Sequence, residues 1–433
     1  MKRKVLLATT CRWFSAARLT MAFSELGCAV EIVGPMGHPA AKTRALGHRY
    51  PFRGLAAAAS FRKAIEQAKP ELVLPCDDLA MLQLHALARK LVGEGEASAG
   101  MLSLLERSLG PVASFPAIEA RSALAALASE EGVDGPETAV VGTLEELKVW
   151  LGRVGFPAVL KADGSAGGRG VEIVFTMDEA EAGFRRLKTP PGLARAVKRS
   201  LFDQDRTLVG PSLRRSVPVV NAQVFLRGRD ATMSVACWEG ELIASLRVDV
   251  IKTQSVRGPA SVVRLMGPAE FPEMTRAAEK IARRLKLSGL YGFDFVLDEE
   301  SGHAHLIEMN ARTTQTCHLA LGKGRNLAAA LYGKIAGEAL PETKSVTDGD
   351  IIALFPQDWQ SDPASAYLTT AYHDVPWTEP KLVKECVDFA TSQDGVLKRL
   401  VKLYRRMFDP AALPKTESKA QDGVGGLKRD VRG

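Results

Sequence analysis

Residues 291–312 read YGFDFVLDEESGHAHLIEMNAR, two strand-like runs joined by a short polar turn containing Gly302. This pattern predicts a β-hairpin. Folding it symmetrically about Ser301 sets Asp294 opposite Glu308 and Gly292 opposite Asn310, and the two-residue period of a strand puts all four on one face. Phe293, Phe295, Ile307 and Met309 line the other face, which is core. Two carboxylates opposed on neighbouring strands are destabilising unless a cation lies between them. Asp294, Glu308 and the amide oxygen of Asn310 are hard ligands of the kind that hold Mg²⁺ beside phosphate oxygens, and Arg312 follows two residues on along the same face. The competing reading is a surface hairpin with scattered charges.

The 433 residues around this hairpin, 46% apolar and 25% charged, have the balance of a soluble protein of several domains. No run approaches the ~20 apolar residues of a membrane span. The N-terminus MKRKVLLATTC leads straight into a strand-like run, so no signal peptide is expected and the cytoplasm is the expected setting. Cys11, Cys28, Cys76, Cys237, Cys317 and Cys386 form no CxxC or Cys/His cluster, which argues against a zinc site and a disulfide framework. The net charge of +7 is carried largely by the C-terminus, where residues 396–433 hold ten Lys or Arg against four Asp or Glu. The basic balance therefore describes a tail, and nucleic acid is not an expected partner.

KVLLA at 4–8, AVEIV at 29–33 and ELVLP at 71–75, with a helix over 15–26, follow a βαβ pattern and predict a parallel sheet. The turn after the first strand, TTCRW, has no glycine, so a dinucleotide fingerprint is missing. Asp77 and Asp78 follow the third strand, either facing a ligand or capping the next helix. Residues 93–116 turn to Gly, Ser and Pro, a boundary composition, and a helix is expected over 117–131. Further on, the strand PAVLK (157–161) meets a glycine-rich loop, Gly164 to Gly170, followed by the strand VEIVF. Strand, loop, strand excludes a Walker loop, which opens a helix; it fits a hairpin whose backbone N–H groups cover phosphates, with Lys161 supplying charge from beneath. VVNAQVFLRG (219–228) and ATMSVACWEG (231–240) alternate as antiparallel strands.

Lys161 with its glycine loop, the strand pair around Gln223 and the hairpin ending in EMNAR resemble, in this order, the ATP-grasp superfamily of carbamoyl-phosphate synthase, biotin carboxylase and D-alanine ligase. The resemblance covers residues 1–340. It implies a mixed α/β and α+β architecture: a Rossmann-like parallel-sheet pre-ATP-grasp domain at 1–110 and a two-subdomain ATP-grasp fold at 111–345. The latter divides into a lid at about 135–215 and a metal-binding subdomain at about 216–345. A C-terminal extension would occupy 346–411 and a disordered tail 412–433. The resemblance further implies that Lys161 contacts the α/β phosphates of ATP and that Gly164, Ser165, Gly167, Gly168 and Gly170 close over them. Val224 and Leu226 would offer backbone groups to adenine beside Gln223, and Asp230 would hold the ribose. Asp294, Glu308 and Asn310 match ligands of Mg²⁺ or Mn²⁺, and Arg312 matches an arginine near the transferred phosphate. Where the family usually places a second phosphate-binding lysine, counting back from Gly132 reaches Arg121, which keeps the charge but not the geometry.

The implied reaction activates a small-molecule carboxylate as an acyl phosphate for attack by an amine, with Lys161 and Arg312 as the catalytic charges and no protein nucleophile. Arg247, Lys252 and Arg257 are candidates for gripping the substrate. Alternatives are a carboxylase or carbamoyl-phosphate-type synthase, and a nucleotide-binding regulatory module without turnover. An amphipathic basic helix at 396–408 docks on the body or meets an anionic membrane, and a homodimer is compatible with this reading. DVPW at 374–377 and IIALFPQDW at 351–359 are expected to pack on the body.

Overall fold

Lys4–Ala8 (β1), Ala29–Gly34 (β2), Leu46–Pro51 (β3) and Leu72–Pro75 (β4) form a parallel sheet in the order β3-β2-β1-β4. Strands β1 and β4 are almost wholly buried, as parallel strands covered on both faces must be. The structure is a computed structural model and describes residues 2–163, 170–189, 217–255, 258–338 and 350–388. Residues Met1–Cys386 make up one compact unit; the expected helix at 396–408 and the tail lie outside the described residues.

Helix α1 (Phe14–Glu25) connects β1 to β2, α2 (Ala57–Ala68) leads into β4, and α3 (Asp78–Glu94) leaves it. Strand β3 carries no alternating apolar signal, because it is an edge strand with only Tyr50 buried. Residues 93–116 are less of a break than their composition suggests, since an eleven-residue helix α4 (Ala99–Leu109) packs Leu104, Leu105 and Leu109 inward. The single helix expected at 117–131 is two, α5 (Phe115–Glu119) and α6 (Arg121–Glu130), divided by the extended backbone of Ala120. The break makes Arg121 the first residue of α6.

The smaller antiparallel sheet holds β5 (Thr138–Val141), β6 (Ala158–Ala162), β7 (Val171–Val174) and β8 (Val220–Val224), in the order β5-β8-β6-β7. Helices α7 (Leu144–Val154) and α8 (Met177–Lys188) cover it and close a separate core around Leu147, Trp150, Leu160 and Phe184. Thr143 and Thr176 cap their N-termini by accepting the N–H groups of Glu146 and Glu179.

The larger sheet runs β13-β12-β9-β10-β11-β14-β15, built from β9 (Gly228–Trp238), β10 (Glu241–Thr253), β11 (Ala260–Leu265), β12 (Gly289–Asp298), β13 (Ala304–Asn310), β14 (Ile351–Ala353) and β15 (Tyr372–His373). The expected hairpin is β12–β13, with Gly292 opposite Asn310 and Asp294 opposite Glu308. Beyond that pair the register slips, and Phe295 pairs with Leu306. Ile307 is the extra residue of a bulge. It is therefore only partly buried, and Leu306 takes the core place expected of Ile307 beside Phe293, Phe295 and Met309.

One apolar cluster runs through the parallel sheet and the hairpin alike, from Leu6, Leu84 and Leu105 to Met233, Phe293 and Met309. Hydrogen bonds cross the same boundary: Tyr291 Oη donates to Leu109 O at 2.7 Å, and Thr313 N to Pro75 O at 3.0 Å. The segment after β14 packs on this body as expected. Asp374, 4% exposed, pairs with Arg18 on α1 and lies 2.8 Å from His318 Nε2.

Candidate active site

Strands β9, β12 and β13 together present one polar face. Asp230, Thr232 and Ser234 alternate along β9 with the buried Ala231, Met233 and Val235, and the register sets Thr232 beside Asp294 and Ser234 beside Gly292. Asp294 accepts from Thr232 Oγ1 at 2.9 Å and from Asn310 Nδ2 at 2.8 Å. Burial, then the charge of Glu308, pushes its pKa up to about 6. Glu308 accepts from Arg121 Nη2 at 2.8 Å.

Lys161 enters from the smaller sheet. It sits on β6 between Asn221 and Val171 and is 7% exposed. Burial pushes its amine down to about 8 against the pull of Glu308 and Asp294, with Arg121 adding to the depression. The four ionisable side chains thus act on one another. Arg121 ties them together, donating also to Ala162 O at 2.8 Å and standing 3.7 Å from Asp163. Asn221 donates to Asp163 at 2.9 Å, and its own Oδ1 is buried with no hydrogen-bond partner among the described residues.

Arg312 lies at the other end of the hairpin. Its Nη2 donates to Asn310 Oδ1 at 3.3 Å and its Nη1 to Thr313 O at 3.2 Å. Burial opposes its charge, but the adjacent Asp78 raises its pKa.

The donor set fits a divalent cation: two carboxylates face each other on neighbouring strands with the amide of Asn310 beside them, all hard oxygen donors or their carriers. The Asn310 amide turns its NH₂ toward Asp294 and its oxygen toward Arg312, so to ligate through oxygen it would have to rotate. Among the described residues no three of His, Cys, Asp or Glu group as a metal site. Two carboxylates and an amide are instead the partial set that phosphate oxygens complete for Mg²⁺.

Of the expected nucleotide contacts, Gly170 has φ +88° and accepts from Ala162 N at 2.9 Å, while Gly164, Ser165, Gly167 and Gly168 lie outside the described residues. Gln223 is buried and donates to Thr138 Oγ1 at 3.0 Å. The N–H of Val224 is committed to Glu137 O at 3.0 Å, so of its backbone groups the carbonyl is the one left to offer a base. Leu226 is half-buried and Asp230 exposed.

The substrate candidates are not drawn into this cluster. Arg247 donates to the carbonyls of Gly267, Glu270 and Phe271, and Lys252 bridges Asp358 at 2.9 Å and Asp362 at 3.0 Å. Both side chains are engaged within the chain. Arg257 lies outside the described residues. Asp77 is a helix cap, accepting from Ala80 N. Thr232, Asp163 and Asn221 were not expected at the site. Thr232 had a signal, two residues from Asp230 on an alternating strand.

The family model described as carbamoyl-phosphate synthase L chain, ATP binding domain, matches residues 119–340, just over half of the chain. The carbamoyl phosphate synthase large chain of Rhizobium meliloti is 22% identical over 212 residues, covering 48% of this chain and 18% of that one. The chain thus spans under a fifth of the length of the curated synthases it matches. Among solved structures, the biotin carboxylase domain dimer of the Hydrogenobacter thermophilus 2-oxoglutarate carboxylase, in complex with MgADP and bicarbonate, has a TM-score of 0.57 at 16% identity, covering 81% of this chain and 74% of that one. The N5-carboxyaminoimidazole ribonucleotide synthetase of Thermus thermophilus has a TM-score of 0.55 at 16% identity, covering 78% and 80%. These likenesses establish the fold as a parallel-sheet domain followed by an ATP-grasp fold.

Proposed function

The chain belongs to the family of the carbamoyl-phosphate synthase L chain, ATP-binding domain, and on that ground we propose that it is an ATP- and Mg²⁺-dependent ligase. It joins a small carboxylic acid to an amine and releases ADP and phosphate. The observation that carries this reading is the mutual engagement of Lys161 from the smaller sheet, Arg121 from the start of α6, and Asp294 and Glu308 from the larger sheet.

In this reading the smaller sheet is the lid. Lys161, desolvated at the end of the smaller sheet, holds the phosphate chain, and Arg121 takes a share of the same charge. Asp294, Glu308 and the amide of Asn310 hold a divalent cation, which when bound neutralises the polyphosphate and orients it. Arg312 meets the charge that develops as the substrate carboxylate attacks the γ-phosphorus and the bond to ADP breaks. The amine then adds to the acyl carbon, phosphate departs with the bonding pair, and a proton leaves the nitrogen. Positioning and charge do the work without a covalent enzyme intermediate.

The test is Mg²⁺-dependent release of ADP and phosphate from ATP with pooled carboxylic acids, bicarbonate included, and pooled amines. ADP appearing only with one acid supports the acyl-phosphate route and names the acid class. AMP release counts against it. Nucleotide binding without turnover in any pool favours a regulatory module.

A further inference from the structure

Arg312 is held by side chains from the parallel-sheet domain, which carries none of the nucleotide motifs. Its Nε donates to Asp78 Oδ1 at 2.7 Å, and its guanidinium carbon lies 5.2 Å from the centroid of the Trp13 ring. With Asn310 and Thr313 on the terminal nitrogens, three of its five N–H donors are engaged among the described residues. The side chain is 12% exposed.

Trp13 and Asp78 follow β1 and β4, adjacent strands of the parallel sheet, at their carboxyl ends. The two segments are stapled together by Asp77. Its carboxylate, 6% exposed, accepts from Thr9 Oγ1 at 2.7 Å, Thr10 N at 2.6 Å, Thr10 Oγ1 at 2.8 Å and Ala80 N at 2.9 Å. One buried carboxylate thus fixes the loop that bears Trp13 against the helix that begins with Asp78. An arginine that is to meet charge in a transition state loses less when its long side chain is already held in place.

We infer that Asp78 and Trp13 are positioning residues that aim the remaining donors of Arg312 at the transferred phosphoryl group, so that the parallel-sheet domain completes the catalytic site. This rests on the ligase reading above. Arg312 is the catalytic residue, and the other two act through it.

The experiment uses the full chain and measures affinity for Mg-ADP alone and for Mg-ADP with aluminium fluoride, a mimic of the phosphoryl group in flight. Asp78→Asn and Trp13→Leu are each expected to weaken the aluminium fluoride complex by about tenfold, while Mg-ADP affinity stays within about twofold. In an Arg312→Ala background, Asp78→Asn should cost nothing more. Asp78→Glu, which keeps the charge, should retain more affinity than Asp78→Asn. Equal loss for both ligands, or losses that add in the double variant, would overturn the inference. So would a parent chain that gains nothing from aluminium fluoride. If Asp78→Asn fails to fold, Trp13→Leu and Arg312→Ala complete the same cycle. A parent that binds no nucleotide overturns the ligase reading and this inference together, whereas a parent that binds with additive losses overturns this inference alone.

Discussion

Arg121 and Glu308 are joined by a 2.8 Å ion pair across 187 residues of sequence. The same guanidinium donates to the carbonyl of Ala162, the residue after Lys161. One side chain therefore spans the end of β6 and the polar face of the hairpin through the two terminal nitrogens of a rigid planar fork, a geometry that the single ammonium of a lysine does not reproduce.

Glu308→Gln separates charge from shape at this point. The substitution removes a carboxylate and almost no volume, so Mg²⁺-dependent turnover should fall by about a hundredfold or more. The thermal midpoint should move by only a few degrees, roughly what a 1 kcal/mol change gives. Parallel turnover assays and melting curves check this, and full activity in the variant would remove Glu308 from the site.

Gly289 starts β12 with φ +102°, and a Cβ there would lie 2.5 Å from the backbone oxygen of Ser108. Gly289→Ala is doubly penalised, by an unfavourable backbone region and by a clash with main chain that cannot rotate away. A loss on the order of 3 kcal/mol is expected in urea unfolding. A shift under about 0.5 kcal/mol would show that β12 and α4 separate easily, since changes of that size are typical of unconstrained surface sites.

His38 is buried and accepts the N–H of Ala40 on Nδ1 at 3.0 Å. Burial, then the charges of Arg12 and Arg49, pushes its pKa from 6.5 to about 3. The unfolded chain takes up a proton below about 6.5 and the folded chain only near 3. The unfolded state thus holds more protons in this window. Stability is intact above pH 6.5 and falls as the pH drops, by up to about 1.4 kcal/mol per unit. His38→Asn keeps an acceptor for Ala40 and cannot titrate, so its urea midpoint should decline less between pH 6.5 and 4. Identical slopes in the two proteins would exclude His38 as the source.

Asp374 is one joint between the segment after β14 and the body, through Arg18 and His318. Asp374→Ala removes the carboxylate from a mostly buried arginine and leaves it the backbone carbonyl of the same residue, at a cost of about 3 kcal/mol. Limited trypsin digestion should release the C-terminal segment sooner than in the parent, and an unchanged cleavage pattern would argue that other contacts hold it.

The hairpin was legible because a strand repeats every two residues, so a turn and four polar positions were enough to pair Asp294 with Glu308. The bulge at Ile307 was not, since one extra residue leaves no mark in an apolar run. Strand β3 escaped for a related reason: HRY at an edge buries one side chain and shows no alternation. Lys161 could be found from its strand and glycine loop, which are local features. The partners of Lys252 could not, because Asp358 and Asp362 are more than 100 residues away in sequence and an ion pair leaves no periodic trace. Asp78 and Trp13 meet Arg312 for the same reason unseen, at the far end of the chain from it.

The apolar cluster that runs from Leu6 through Leu105 to Phe293 makes the parallel sheet and the hairpin one cooperative melting unit. The smaller sheet, with its own core around Trp150, has the means to open independently of it. A fragment cut after residue 110 would leave both halves with bare hydrocarbon and the hairpin without the walls against which it condensed. Exchange of the N-terminal domain between relatives would accordingly demand matching changes on α4 and β12. That domain is thus a wall of the site rather than an attachment to it.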